Sequence, residues 1–436
     1  MAIQFAEVVL WGTPIAVVRW DERAQLADFQ YTEQFIQINE KHGIEVAPVM
    51  MPVRKAPYRF AELSRETFKG LPGMLADVLP DKFGNALIDQ WLVAQGREPK
   101  DFNPVERLCY TADRAMGALE FRPTQRYFKG DPMRDIEVEK MVKLASKVLQ
   151  KRHFDIAHED DDLGVNELEQ ILQIGTSAGG ARAKAIINWN QTDHRILPGH
   201  IEPPEGFEGW LIKFDGVSEN RDKELADPMG FGRIEYAYYL LAQQAGIHMM
   251  PCRLLQEGER AHFMTQRFDR VNGEKRHMTS LCGLGHYDFN DPSSTSYEQA
   301  FVLARKLQVP RQDIEQLYLR MVFNVVFRNQ DDHSKNIAFL MDKKGSWQLS
   351  PAFDVAYSYN PKGMWTSKHQ MSINGKRDDF TREDLSKAGE SSGLSKQKIK
   401  QLIDRVLACK TAWQDVSVQA GVEQARADGL AKTFRF

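Results

Sequence analysis

Asp331, Asn336 and Asp354 are residues whose types and order suit phosphoryl transfer. They stand in Asn329-Gln330-Asp331-Asp332-His333-Ser334-Lys335-Asn336 and in Ser350-Pro351-Ala352-Phe353-Asp354. A phosphoryl-transfer site needs one carboxylate to orient and deprotonate the accepting hydroxyl. It also needs an amide oxygen and a second carboxylate to hold magnesium against the phosphates.

Spacing decides between the two neighbouring aspartates. The catalytic loop of protein kinases places its asparagine five residues after its base. Asp331 and Asn336 have that separation, whereas Asp332 is one residue too close. Asp331 is therefore nominated as base, with Asn336 and Asp354 as the magnesium ligands. Phe353 precedes Asp354 and no glycine follows it. The same residues also suit a polar loop after a helix, in which Asp and Asn cap and turn the chain. The cluster alone leaves both readings open.

Three other stretches bear on this chemistry. Gly209-Trp210-Leu211-Ile212-Lys213-Phe214-Asp215 reads as a buried strand with a lysine inside. Burying that ammonium is costly unless an anion meets it. In a kinase the anion is the nucleotide phosphate, and a glutamate from a helix pairs the lysine. Glu235 opens such a helix, 235–242. The alternative is an edge-strand lysine pointing at water.

Gly175-Thr176-Ser177-Ala178-Gly179-Gly180-Ala181-Arg182-Ala183-Lys184 is rich in small residues, which let backbone N–H groups approach phosphate oxygens. It lacks the Gly-Lys-Ser/Thr of a Walker A loop, and a flexible loop between strands is the competing reading. The strand and turn at 262–270 either lead to a hinge whose backbone meets an adenine edge or form an ordinary part of a sheet.

These residues need elements to position them. Residues 7–11 and 15–20, flanking Gly12-Thr13-Pro14, read as a strand, a turn and a strand. Residues 70–95 read as helical, punctuated at Pro80-Asp81 and Gly84-Asn85, and 117–123 as a closing strand. Apolar residues at 138, 141, 142, 145, 148 and 149 have helical spacing. The acidic run at 159–162 reads as a solvated linker. Residues 297–307 and 314–327 are helical, and the wide apolar stripe of the second delivers Asn329–Asn336 at its C-terminal end. Thr381-x-x-Asp384 resembles a capping box, with Leu385 placed for a staple to Phe380. Residues 399–407 mark one more helix.

The composition bounds the function. With 436 residues the chain has room for two or three domains. A net charge of −3 argues against coating nucleic acid by bulk charge. Four scattered cysteines, without a C-x-x-C pair, suggest neither a zinc knuckle nor a disulfide framework and fit a reducing cytoplasm. The first residues do not read as a signal peptide, and no apolar run approaches the length of a membrane span.

Taken in order, the motifs resemble the HipA-like serine/threonine kinases of bacterial toxin–antitoxin systems. They are Leu79-Pro80-Asp81, the Gly175–Lys184 stretch, Leu211-Ile212-Lys213, Arg267-Phe268-Asp269-Arg270, Asp331–Asn336 and Ser350–Asp354. Together they cover most of the chain between about 70 and 375, while residues up to about 65 match the family pattern poorly.

The resemblance implies an α+β, two-lobed protein-kinase-like fold with a mixed α/β N-lobe and a mostly helical C-lobe. It divides the chain into an N-terminal subdomain (1–125), a helix and acidic linker (126–165), the kinase N-lobe (166–275) and the C-lobe (276–436). ATP and Mg2+ are the implied cofactors. Asp331 is the implied catalytic base, and Asn336 and Asp354 the implied metal ligands. Gly179, Gly180, Ala181, Arg182, Ala183 and Lys184 would line the phosphates, which Lys213 would contact. Gln266, Arg267 and Phe268 would sit at the adenine hinge, with Phe353, His333 and Lys335 also on the nucleotide side. Ser177, with Thr176 beside it, matches the family's autophosphorylated loop serine. Its phosphate would oppose the phosphates of ATP.

The resemblance further implies a protein substrate, an aminoacyl-tRNA synthetase being the known kind of target. It implies a small helix-turn-helix antitoxin as partner, with DNA contacted mainly through it. Two other functions remain compatible with the residues. One is a small-molecule or lipid phosphotransferase on the same fold, and the other is a catalytically silent protein that holds an antitoxin on DNA.

Overall fold

Alternating apolar residues fold the start of the chain into an antiparallel meander of β1 (Phe5–Leu10), β2 (Thr13–Asp21) and β3 (Leu26–Tyr31). β4 (Leu119–Arg122) returns to pair with β1, giving the order β3-β2-β1-β4. The structure, a computed structural model, describes residues 3–124, 133, 135–149, 175, 182–217, 229–271 and 273–436. The acidic run at 159–162 lies outside the described residues, as do Thr176, Ser177, Gly179, Gly180 and Ala181.

The first turn differs from the sequence expectation. Trp11 and Gly12 both have positive φ, 48° and 80°, as a tight two-residue hairpin requires. Thr13 and Pro14 therefore belong to β2, and the register shift between Val8 and Val9 accommodates them.

Residues 70–95 are not one continuous helix. A short turn of helix, Gly73–Ala76, precedes the helix Lys82–Ala94. Asp81 caps the latter by accepting the Gly84 N–H at 2.7 Å. Phe83, Leu87 and Ile88 of this helix share one core with Met141 and Val142 of the helix Val138–Leu149. Ile187 and Trp210 of the second sheet complete it. The N-terminal region thus packs directly on the next lobe.

That lobe is built on β5 (Lys184–Trp189), β6 (Ile196–Pro198), β7 (Glu208–Lys213), β8 (Cys252–Glu257) and β9 (Arg260–Gln266). Their order is β6-β5-β7-β9-β8, with antiparallel pairing throughout. β7 is therefore internal to the sheet, and Lys213 is not an edge-strand lysine. The helix Phe231–Gln244 begins before Glu235, so Glu235 sits in its second turn instead of opening it. Asp215 accepts N–H groups from Gly230 (3.0 Å) and Ala261 (3.1 Å), which ties the start of that helix to the sheet.

A short ribbon of β10 (Arg270–Val271) and β11 (Glu274–Lys275) leads to the other lobe. There β12 (His277–Ser280), β13 (Ala338–Met341) and β14 (Trp347–Leu349) form a small antiparallel sheet. The helices Tyr297–Lys306 and Arg311–Val326 lie where the apolar spacing predicts them. Thr381 and Asp384 form the expected capping box at the start of the helix Arg382–Ser391, followed by the helix Lys396–Ala408. Among the described residues, no helix is long and apolar enough to cross a membrane.

Candidate active site

The helix Arg311–Val326 is buried along Leu317, Met321, Val322 and Val325, which makes it a rigid support for the polar loop that follows. In that loop the two adjacent aspartates have opposite environments. Asp331 is exposed over 52% of its side chain, with His333 Nε2 3.8 Å from its Oδ1. Asp332 is buried, with both carboxylate oxygens hydrogen-bonded. Its Oδ2 accepts from Tyr297 Oη and His369 Nδ1, each at 2.8 Å, and its Oδ1 accepts the Gln370 N–H at 2.8 Å. Burial alone would raise the Asp332 pKa, but His369, the Tyr297 hydroxyl and the Gln370 N–H bring it below the usual carboxylate value.

One hydroxyl holds the loop backbone beside Asp331. Ser358 Oγ accepts N–H groups from Gln330 (2.8 Å) and Asp331 (2.9 Å) and donates to Asn329 Oδ1 (3.1 Å). Asn329 Nδ2 in turn reaches Asn324 Oδ1 at 3.0 Å and the carbonyl of Asp354 at 3.4 Å. Asn336 donates its Nδ2–H to the carbonyl of Asp331 at 2.8 Å, which fixes the residue five positions on against the aspartate. Phe289 flanks His333 and Lys335, with its ring centroid 5.5 Å from the His333 ring and 4.8 Å from Lys335 Nζ.

Across the site, Lys213 Nζ lies 2.5 Å from both Glu235 Oε1 and Asp354 Oδ1. Burial would lower the pKa of this amine, but the Asp354 and Glu235 carboxylates outweigh it and hold it above its ordinary value. Asp354 is shifted the other way: burial opposes its ionisation, and Lys213 and Lys184 bring its pKa down. Asp354 has a φ of 52°, in the left-handed region that Asp tolerates better than most residues.

The ion cluster extends further. Lys184 is the register partner of Lys213 across β5 and β7, which puts both on one face. Its Nζ lies 3.3 Å from Asp81 Oδ2. Burial raises the Asp81 pKa to about 6, with Lys184 opposing the shift. Arg182 stacks on Phe231, 3.6 Å from the ring centroid, with Nη1 3.9 Å from Glu235 Oε2. Ala183 is buried and accepts the Phe214 N–H through its carbonyl at 3.0 Å.

At the end of β9, Gln266 N–H donates to Pro251 O at 2.9 Å and Arg267 N–H to Gly209 O at 3.0 Å. The Arg267 guanidinium turns to Asp269, at 2.9 and 2.8 Å, and away from the ion cluster. Phe268 and Phe353 meet with ring centroids 5.6 Å apart. They bring the end of the β9 strand next to the residue preceding Asp354.

Asn336 and Asp354 line one cleft, with Asn329 and Phe353 on its wall. Among the described residues neither Asn336 Oδ1 nor Asp354 Oδ2 receives a hydrogen bond, so two hard oxygen donors have acceptor capacity to spare. No group of three or more His, Cys, Asp or Glu side chains among the described residues forms a metal cage. Two oxygen ligands fit magnesium, which is commonly bound by one or two protein oxygens with phosphates and water completing its shell.

Of the residues nominated from sequence, the structure brings Lys213, Glu235 and Asp354 together and sets Asn336 against the backbone of Asp331. Sequence reasoning missed the anchoring roles of Asp332, Ser358, Tyr297 and His369, for which no local pattern exists. It read Asp81 as a turn or helix-start signal and as part of the Leu79-Pro80-Asp81 motif, and the cap geometry carries no signal that its second oxygen meets Lys184.

The fold and the site define a two-lobed, protein-kinase-like α+β protein. Two family descriptions match the sequence, the HipA N-terminal domain over residues 6–122 and the HipA-like C-terminal domain over residues 176–413. The chain belongs to the HipA-like family. The N-terminal match corrects the expectation that residues up to about 65 depart from the family pattern.

The chain is also similar to a chain of the toxin–antitoxin complex of HipA, HipB and operator DNA from Shewanella oneidensis MR-1. The TM-score is 0.67 at 17% identity, over 98% of this chain and 94% of that one, a likeness of fold. Among curated proteins it is 24% identical over 219 residues to the "putative kinase Y4mE" of Sinorhizobium fredii, covering 47% of each chain. It is 25% identical over 208 residues to a "putative kinase" of Haemophilus influenzae, covering 41% of this chain and 60% of the relative. The matched region spans about half the length of these curated relatives.

Proposed function

We propose that the chain is an ATP- and Mg2+-dependent serine/threonine protein kinase of the HipA-like toxin type, acting in the cytoplasm. The observation that carries this reading is the Lys213 amine held between Glu235 and Asp354, across the site from an exposed Asp331. Lys213 binds the nucleotide phosphates, together with the loop of Gly179, Gly180, Ala181, Arg182, Ala183 and Lys184. Gln266, Arg267, Phe268 and Phe353 form the adenine side, with His333 and Lys335 reaching the phosphates from the catalytic loop. Asn336 and Asp354 hold magnesium, which when bound neutralises and orients phosphate oxygens.

Asp331 accepts the proton of an acceptor serine or threonine hydroxyl as its oxygen bonds to the γ-phosphorus and ADP leaves. The environments of the two aspartates support this assignment, because a base must reach an incoming hydroxyl and Asp332 is buried with both oxygens already hydrogen-bonded, whereas Asp331 is half exposed. Ser177, or Thr176 beside it, is an acceptor within the chain. The external acceptor is a protein, and an aminoacyl-tRNA synthetase is the class to test first. The partner is a small helix-turn-helix antitoxin, through which DNA is contacted.

The test uses wild type and Asp331→Asn incubated with Mg-ATP, followed by intact mass and phosphosite mapping. Phosphate on Ser177 or Thr176 in wild type alone is the expected result. Wild type that neither labels itself nor transfers phosphate to protein in bacterial lysate overturns the reading.

A further inference from the structure

The segment after Asp354 passes through Ser358 into a closed loop. Asn360 N–H donates to Thr366 O at 3.2 Å, and Gly363 N–H donates back to Asn360 O at 2.9 Å. A Cβ on Gly363 would come within 3.1 Å of both Asn360 and Thr366, so the turn is tight. The loop is fastened to the catalytic loop at its base. Gln330, the residue before Asp331, donates from Nε2 to Thr366 O at 3.1 Å, and the buried Gln370 side chain donates to Trp365 O.

This tethered loop presents apolar surface. Met364 is 74% exposed and Trp365 36%. Among the described residues they are the only exposed large apolar side chains that adjoin in sequence. Lys362 and Lys368 flank them, and neither has an ion pair among the described residues. Residues 360–368 contain no carboxylate, so Lys362 and Lys368 are the charged side chains of the loop. The uncommitted charge of the loop is positive.

We infer that the loop 360–368 is the docking surface for the acceptor protein, seating an apolar side chain of the acceptor on Met364 and Trp365 and its acidic side chains against Lys362 and Lys368. The inference rests on the protein-kinase reading above. An exposed Trp beside a Met is the kind of anchor that dominates interfaces. Unpaired lysines at its rim select and steer an acidic partner. The bond from Gln330 holds this surface next to Asp331, so an acceptor docked there brings its hydroxyl to the base.

The test uses synthetic peptides with a single serine flanked by Leu and Glu, by Leu and Lys, or by Gly alone. Wild type is compared with Met364→Ser/Trp365→Ser and with Lys362→Glu/Lys368→Glu. The Leu/Glu peptide is expected to be preferred over the Leu/Lys peptide by on the order of tenfold in kcat/KM. The charge-reversed variant should shift that preference towards Lys, and the serine variant should lose the advantage of Leu over Gly. ATP affinity and the unfolding midpoint should stay at wild-type values in both.

Unchanged flank preference in the variants, or a wild-type preference for Lys, overturns the docking surface while leaving the kinase reading intact. A wild-type dimer that the serine variant converts to monomer identifies the patch as a self-association face and also overturns it. Wild type that fails to bind Mg-ATP overturns the kinase reading, and this inference with it.

Discussion

Asp331→Asn and Asp332→Asn should separate cleanly into a chemical and a structural defect. Asp332 accepts three hydrogen bonds, each at 2.8 Å, from Tyr297, His369 and the Gln370 N–H. An asparagine there turns an NH2 group towards at least one of these donors and removes the charge facing His369. Leaving buried polar partners unsatisfied costs about 1–3 kcal/mol each, and at least two of the three donors lose their charged acceptor. Asp332→Asn should therefore lose about 3–5 kcal/mol, a large share of the roughly 5–15 kcal/mol that stabilises an ordinary domain. Asp331 is half exposed and meets only His333 at 3.8 Å, so its change to asparagine should move stability by less than about 0.5 kcal/mol. Loss of a general base should instead slow phosphoryl transfer by about 10²- to 10⁴-fold. Urea unfolding gives the first quantity and transfer of γ-phosphate to serine peptides the second. If Asp332→Asn unfolds at the wild-type midpoint yet abolishes transfer while Asp331→Asn remains active, the assignment of the base must move to Asp332.

Further changes probe the supports of the site. Lys213→Met leaves the buried Glu235 without its 2.5 Å partner, and should cost about 3–5 kcal/mol of stability and weaken ATP binding roughly ten- to hundredfold; titration calorimetry showing wild-type affinity would refute the role of this lysine. Ser358→Ala frees the N–H groups of Gln330 and Asp331, and a displacement of the base by about 1 Å should lower kcat up to about a hundredfold. ATP affinity should be unchanged in that variant, and unaltered kcat would show that other contacts suffice to hold the loop. His277 is buried with Nε2 2.9 Å from Val46 O, and burial lowers its pKa from 6.5 to about 4. The unfolded state then binds the proton more tightly, so this contribution to stability is fully present above pH 6.5 and lost as pH falls towards 4, on the order of 3 kcal/mol. Urea midpoints at pH 7 and pH 4.5 should fall less for His277→Gln than for wild type, and an equal fall would count against the assignment.

The N-terminal region has a physical route to the site. Asp77 accepts from the Ser280 N–H and hydroxyl, and Gly73 N–H donates to His286 Nε2 at 3.1 Å. Tyr287, one residue on, accepts from Ser334 in the loop after the helix Arg311–Val326 at 3.1 Å. Asp81 meets Lys184 in the ion cluster. A mutation in residues 73–81 thus reaches both faces of the site through contacts of a few ångströms.

What the sequence determined by itself was whatever a few consecutive residues encode. The five-residue separation of Asp331 and Asn336, the Thr381–Asp384 capping box and the apolar stripe of the helix Arg311–Val326 all depend on local spacing, and local spacing survives folding unchanged. A lysine inside an apolar strand similarly announced that it needs an anion. The kinase pattern nominated Glu235 as one such anion, and tertiary structure decided that Asp354 is another. Glu235 lies 22 residues from Lys213 and Asp354 lies 141 residues away, and no periodicity spans such distances. It also decided that Asp332 is sealed by Tyr297 and His369, 35 and 37 residues away, while its neighbour faces solvent. Two adjacent aspartates are chemically identical in the chain. Spacing to Asn336 distinguishes them in the chain, and only packing, which buries one carboxylate among donors and leaves the other exposed, gives them different environments.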